Sequence, residues 1–368
     1  MTGGKDVMTD QAAPPKSDER LLREGLFRRL VRRPELGAVA GAIVIWLFFA
    51  IVAGDRGFLS LRGTANYLGV SAELGILAIF VSILMIGGEF DLSVGSMIGA
   101  CGMIIAILSV DYGLNIWIAI VAALLFALLV GALNGILVVR TGLPSFIITL
   151  ASLFVVRGLT IGLTRVLTGR TQVGGIPEAA GYDSAYAVFA SSLQILDPTS
   201  ARGVSASFPI SILWCIVLMV LGTYLLRRMR AGNWIYGIGG DKNAARNMGV
   251  PVRRMKILMF MGTAAAACLV ATIQVVSVGS ADVLRGTGRE FYAIIATVIG
   301  GTLLTGGYGS VIGPVFGALI VGMVQQGIVY TGIDSDWFQV FLGTMLVAAV
   351  MVNNYMRRLA SEAKKKES

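Results

Sequence analysis

The sequence predicts an all-α polytopic membrane protein of about ten transmembrane helices, and three observations predict it. Of its 368 residues, 56% are apolar and 14% are charged, against about 25% charged in ordinary soluble domains. Mean hydropathy is +0.79, and the chain holds 47 glycines, a residue commoner in transmembrane than in soluble helices. The apolar residues also fall into runs close to the roughly 20 residues with which one helix crosses a bilayer.

From the N-terminus, residues 1–18 are polar, contain Pro14-Pro15, and are predicted to be disordered. In Glu19–Arg33, Leu22, Leu26 and Leu30 recur at helical spacing with Phe27 and Val31 alongside, while Arg20, Arg23, Arg28, Arg29, Arg32 and Arg33 occupy much of the rest. That pattern predicts a basic amphipathic helix on an anionic membrane surface, stopped near Pro34. Residues 1–35 are therefore expected to be a cytoplasmic tail that anchors beside the membrane lipids. No cleaved signal peptide is predicted, because the first apolar run starts only after residue 35 and lacks a small-residue cleavage site.

Apolar spans are predicted at 36–53, 67–86, 92–110, 114–139, 146–165, 208–226, 257–278, 291–304, 311–330 and 337–355, so that 36–357 forms the membrane domain. Two of them are unusual. The third follows Gly87-Gly88 and contains Gly95 and Gly99; the eighth is short and runs into Gly300-Gly301. Interrupted helices at membrane depth are tolerated where they pack against protein or line a cavity, so both are candidates for a pathway.

Ten spans with both termini on one side put Arg56, Arg62, Arg165, Arg170, Arg202, Arg285 and Arg289 on the other. With Arg157 inside the fifth span, the remaining 22 of the 30 Lys and Arg lie on the terminal side. By the positive-inside rule that side is the cytoplasm. The net charge of +9 thus serves topology, including a basic tail at 358–368, and nucleic acid is excluded as a partner. Two loops are more than turns. Residues 168–207 form an outside segment, long enough to meet an external partner, and 227–256 form a cytoplasmic one.

Composition also excludes chemistry. The chain has no histidine, which removes Ser-His-Asp and Cys-His catalysis, histidine-containing zinc sites and histidine proton relays. Cys101, Cys215 and Cys268 each lie in an apolar run without CxxC spacing and read as buried hydrophobes. No phosphate-binding G-x-x-x-x-G-K-[ST] loop is present. No catalytic residue, metal site or cofactor bound by this chain is expected.

The cytoplasmic segment carries the strongest local signal. Asp241 is a good N-cap, Lys242 through Met248 can form two helical turns, and Gly249 and Pro251 supply the stop. Ala244 and Ala245 give the short helix small faces suited to a groove in a soluble partner; an ordinary capped connector fits the same residues.

Gly87-Gly88-Glu89-Phe90-Asp91-Leu92-Ser93-Val94-Gly95-Ser96-Met97 resembles the Gly-Gly-x-Asp-Leu-Ser-Val-Gly-Ser signature of ribose-type sugar permeases of ABC importers, within the branched-chain amino acid/ribose permease superfamily. Leu133-Asn134-Gly135, Pro144-Ser145-Phe146-Ile147-Ile148-Thr149-Leu150, Arg157-Gly158, Tyr236 through Val250, Gly300-Gly301-Thr302 and Gly306-Gly307-Tyr308-Gly309-Ser310 are similar to the same family in order, over about residues 36–357. The resemblance implies a type II ABC importer-like permease fold and alternating access. It implies a non-enzymatic subunit of the bacterial inner membrane moving a monosaccharide or related polyol. It further implies pairing with a second permease copy or paralogue, ATP and Mg on a separate ATPase subunit, and a periplasmic sugar-binding protein. The helix around Gly240, Asp241, Asn243, Ala244, Ala245, Arg246 and Gly249 would then be the ATPase-coupling helix.

Candidates for the translocation pathway or gate are Glu89, Asp91, Ser93, Asn134, Phe146, Arg157 and Gln325. For Asp91 an N-cap role competes with gating. Arg157, inside a span, needs pairing or hydration; it is read either as a structural tie to an acid such as Glu73 or as a pathway residue. Asn134, Gln325 and Gln326 suit a polyol and equally suit interhelical hydrogen bonds. Gly95–Gly99 and Gly309–Gly313 echo each other, as a relic of duplication or through close packing. Competing readings are an importer for a branched-chain amino acid, an ion-coupled carrier, for which Glu73 is the main candidate acid, and a membrane scaffold. The scaffold leaves the capped loop helix and broken spans without a role.

Overall fold

The structure is a computed structural model that describes residues 34–196 and 205–365, with side chains through Met351. The predicted tail and amphipathic helix at 1–33 lie outside the described residues. Thirteen α-helices carry the described chain, and eight of its helical segments are long and apolar enough to cross a membrane. The first spans are α1 (Pro34–Ala53), α2 (Leu61–Ile86), α3 (Val94–Ala106, continued as a wider turn to Asp111), α4 (Ile116–Thr141) and α5 (Ser145–Thr168). Helix α2 starts six residues earlier than predicted, because Ser60 caps it through its hydroxyl, which accepts the Gly63 N–H at 3.0 Å.

The long segment after α5 is structured: β1 (Gln172–Gly174), α6 (Tyr182–Phe189), and a hairpin of β2 (Ser192–Leu196) with β3 (Ser205–Pro209). Two tryptophans anchor α6 to the bundle. Trp117 Nε1 donates to Ser184 Oγ at 2.8 Å and Trp214 Nε1 to the Val188 carbonyl at 3.0 Å, while the Phe189 ring stacks on Trp214. Then come α7 (Ser211–Arg228), α8 (Arg230–Gly240), α9 (Lys242–Asn247), α10 (Val252–Val278), β4 (Ser280–Asp282), α11 (Arg289–Ile299), α12 (Ile312–Thr331) and α13 (Trp337–Lys365). Sequence reading missed α8 and the four short strands. One predicted span is corrected: the eighth is the 11-residue α11; the tenth, 337–355, lies within α13.

Helices α2, α3, α10 and α12 form the buried centre, with α1, α4, α5 and α7 around them. Lipid gives little hydrophobic drive between helices, so close backbone approach and dispersion hold such bundles. Here α4 meets α10 through Gly131 and Gly135; a Cβ at either would stand 2.7 Å from Phe260 O or Ile257 Cα. Helix α12 meets α11 through Gly313 and Gly317, where a Cβ would stand 1.9 Å from Gly300 O or Ala296 O. The outer helices turn Ile43, Leu125, Phe154 and Leu221 outward. Helix α5 is the least buried span and leaves an apolar groove of about 680 Å³ against α3 and α4.

Candidate functional site

Both regions singled out for their glycines carry non-helical backbone next to their helix: the third span begins as α3 only at Val94, and the eighth is the short α11. Between α2 and α3, residues 87–93 run without helix into the bundle. Lys256, near the start of α10, forms an ion pair with Glu89, whereas Asp91 accepts from Thr263 Oγ1 at 2.5 Å. Thr263 lies eleven residues into α10, roughly 16 Å along its axis. Backbone inside a bundle needs partners, and neighbouring helices supply them. The Phe90 N–H donates to Ser145 Oγ at 3.0 Å and its carbonyl accepts from Thr149 Oγ1 at 3.4 Å, both on α5. Asp91 Oδ1 accepts from the Ser93 N–H at 2.9 Å and Ser93 Oγ at 2.6 Å. Asn134 Nδ2 on α4 donates to Ser93 Oγ at 3.0 Å. Asp91 therefore closes an Asx turn just before α3 rather than capping the helix itself.

The second break follows α10. Gly279, at φ +72, takes the left-handed turn that reverses the chain. Residues 280–282 then pair antiparallel with 172–174. The stretch continues down the glycine face of α3, where a Cβ at Gly99 would lie 2.9 Å from Val283 O and one at Gly95 2.6 Å from Gly286 O. Helix α11 starts there, so the N-termini of α3 and α11 meet inside the bundle at Gly95 and Glu290.

At the end of the bundle that carries α8 and α9, three Gly-Gly motifs far apart in sequence come together. A Cβ at Gly239, near the end of α8, would stand 1.7 Å from Ile86 O and 2.5 Å from Gly307 N; one at Gly306 would stand 2.9 Å from Gly88 Cα. The Gly307 N–H donates to Ile86 O at 2.8 Å and Tyr236 Oη to Gly309 O at 2.8 Å. A Cβ would meet its neighbours closely at Gly95, Gly99, Gly309 and Gly313 alike.

Helix α9 springs from this junction. Asp241 caps it, accepting from the Asn243 and Ala244 N–H groups at 2.8 and 3.1 Å. Gly249, at φ +83, ends the turn. Gly240, Asp241, Asn243, Ala244, Arg246 and Gly249 are exposed, as is Met248 at 85%. Ala245 is corrected: it is 5% exposed and turned toward Gly237 of α8, so only Ala244 offers a small outward face.

Of the pathway candidates, Asp91, Ser93 and Asn134 belong to one hydrogen-bonded cluster, and Glu89, on the same stretch, pairs with Lys256. Phe146 is 51% exposed on the first turn of α5, and Gln325 and Gln326 are half-buried on α12, which packs on α1, α2 and α11, away from that cluster. The tie between Arg157 and Glu73 is not formed. Glu73 accepts from Gln274 Nε2 at 2.7 Å, and Arg157 donates to Thr287 Oγ1 instead. Sequence reading missed Lys256, Thr263, Ser145, Thr149, Thr287 and Glu290. The signal was there for four of them: Lys256 and Thr263 are seven apart and Ser145 and Thr149 four apart, so each pair lies on one helix face.

Non-helical backbone enclosed in an apolar bundle, with interrupted helices meeting end to end, is how transport proteins bring polar groups to membrane depth. The fold and this site define a multi-pass membrane protein of the permease class. Residues 63–350 match the family described as branched-chain amino acid transport system / permease component, and the chain belongs to that family. It is 31% identical to the xylose transport system permease protein XylH of Escherichia coli (strain K12) over 360 residues, covering 87% of this chain and 91% of that one. It is 34% identical to the inner membrane ABC transporter permease protein YjfF of the same strain, over 79% of this chain and 83% of that one. Identity to its ribose import permease protein RbsC is 29%, over 89% and 97% of the two chains. No solved structure matches the chain.

Proposed function

We propose that this chain is the transmembrane subunit of an ATP-driven ABC importer that carries a monosaccharide across a bacterial inner membrane by alternating access. The observation that carries the reading is the seat of α9. An exposed, capped helix stands on the glycine junction, and one of the two loops in that junction is the stretch that re-enters the bundle toward Asp91. A push on α9 by a soluble partner therefore reaches buried backbone through direct contact. The similarity to xylose and ribose permeases supports a monosaccharide as cargo. In this reading ATP and Mg bind the partner ATPase, α8 and α9 face the cytoplasm with both termini, and a sugar-binding protein meets the opposite face. The hairpin there exposes Leu193 and Leu196 at 67% and 73%. Two copies, or one copy and a paralogue, would enclose the pathway.

Purification in mild detergent from the native membrane, followed by mass spectrometry, tests this. A stoichiometric ATPase is expected, with uptake of xylose or ribose that requires a binding protein; transport-active protein without an ATPase overturns the reading. The family description also names branched-chain amino acids, so leucine uptake by the purified complex decides between the two cargoes.

A further inference from the structure

Where the N-termini of α3 and α11 meet, polar atoms are left over. Glu290 is 5% exposed, and its Oε2 has no hydrogen-bond partner. It lies so close to α3 that a Cβ at Gly95 would stand 1.8 Å away. Arg157 reaches the same place from α5. Its Nη1 is held by Thr287, but Nε and Nη2 are buried without partners. Thr287, three residues before Glu290, brings the guanidinium to the N-terminus of α11, yet the two charged side chains do not bond to each other. Unpaired buried charge is costly, and both leftover groups sit beside two helix N-termini that contribute positive potential.

The chemistry of the leftover atoms defines what suits them. Arginine nitrogens only donate and an ionised carboxylate only accepts, whereas a hydroxyl does both. We infer that Arg157 and Glu290, with Thr287 as positioning residue, form a mid-bundle contact for a sugar hydroxyl, which accepts from Arg157 and donates to Glu290. Thr287 is the exposed member; its hydroxyl also donates to Leu284 O at 2.5 Å, which fixes it as the support for Nη1. The inference rests on the monosaccharide reading of the preceding section and adds to it where the permease itself touches its cargo.

The test uses proteoliposomes holding the complete transporter, with its binding protein. Initial uptake of D-xylose, D-ribose and their monodeoxy analogues is measured for wild type, Glu290→Gln, Arg157→Lys and Thr287→Val. Taking variant over wild type for each sugar cancels the binding protein's own preference. For the parent sugar, Glu290→Gln and Arg157→Lys are expected to lower uptake about tenfold, as loss of a charged hydrogen bond does. For the one deoxy analogue that lacks the contacted hydroxyl, the ratio is expected to return close to one. Thr287→Val, the mildest change and the one least able to disturb folding, is expected to show the same pattern at smaller size. Equal ratios for every sugar, whether near one or uniformly low, overturn the inference while wild-type pentose uptake leaves the importer reading standing. A wild-type complex that carries leucine and no pentose overturns both.

Discussion

Glu89 is a carboxylate 7% exposed, and its one ion-pair partner among the described residues is Lys256. Breaking a buried pair by removing one partner costs about 3–5 kcal/mol, because the other charge is stranded. Lys256→Met is therefore expected to lower the melting temperature and yield of the purified protein, and adding Glu89→Gln to recover most of the loss. Equal melting of the single and double variants would count against a stabilising pair. Asp91 poses a different question, since its two oxygens take three hydrogen bonds from Ser93 and Thr263. Asp91→Ala takes this acceptor from the Ser93 N–H and hydroxyl, at about 1–3 kcal/mol each, and is expected to abolish accumulation in the membrane; Asp91→Asn, which keeps an acceptor oxygen, is expected to restore part of it, by immunoblot. At this scale Asp91, Ser93 and Asn134, named from the sequence as separate pathway candidates, are joined by hydrogen bonds. Sequence reading gave the wrong partner for Arg157, since nothing in a linear chain says that 287–290 folds back beside α3.

Among the elements, α9 illustrates what can and cannot be read in advance. Its cap and stop were legible because Asp241 and Gly249 act on backbone a few residues away. Which alanine faces inward was not, because that depends on α8, whose sequence Arg-Ala-Gly-Asn-Trp-Ile-Tyr-Gly-Ile-Gly-Gly carries four glycines and little helical propensity. The two faces of α9 separate stability from coupling. Ala245→Leu is expected to push α9 off α8 and lower abundance. Ala244→Trp and Met248→Asp, on the exposed face, are expected to keep abundance and lose the copurifying ATPase and uptake. Full uptake in Ala244→Trp/Met248→Asp would remove the coupling assignment. Between α11 and α12 the contact is backbone on backbone, so Gly317→Leu is expected to prevent accumulation, with normal yield as the contrary result. Overpacking of a fitted site costs about 1–3 kcal/mol, and here the clashing atom is the Ala296 carbonyl, which has no rotamer to change.

For the whole molecule, sidedness is the claim to check, and the native cysteines make it practical. Cys101, Cys215 and Cys268 are all buried, so an impermeant maleimide reports only an introduced thiol. A cysteine at Gln194, exposed on β2, is expected to label in intact cells, and one at Asn243, exposed on α9, only after permeabilisation. The reverse pattern would invert the topology. The helical class and the approximate number of crossings were legible because hydropathy counts residues against bilayer thickness. The head-to-head meeting of α3 and α11 was not, because hydropathy counts crossings and does not say which helix ends meet inside the bundle.

The glycine junction under α9 has a mechanical consequence. Gly88, Gly239, Gly306 and Gly307 have no side chains, and the backbone contact is pinned by two hydrogen bonds, Gly307 to Ile86 and Tyr236 to Gly309. The junction is in effect a rigid backbone linkage: it holds two loops and the end of α8 at close clearance, so a small tilt of α9 is passed inward with little lost motion.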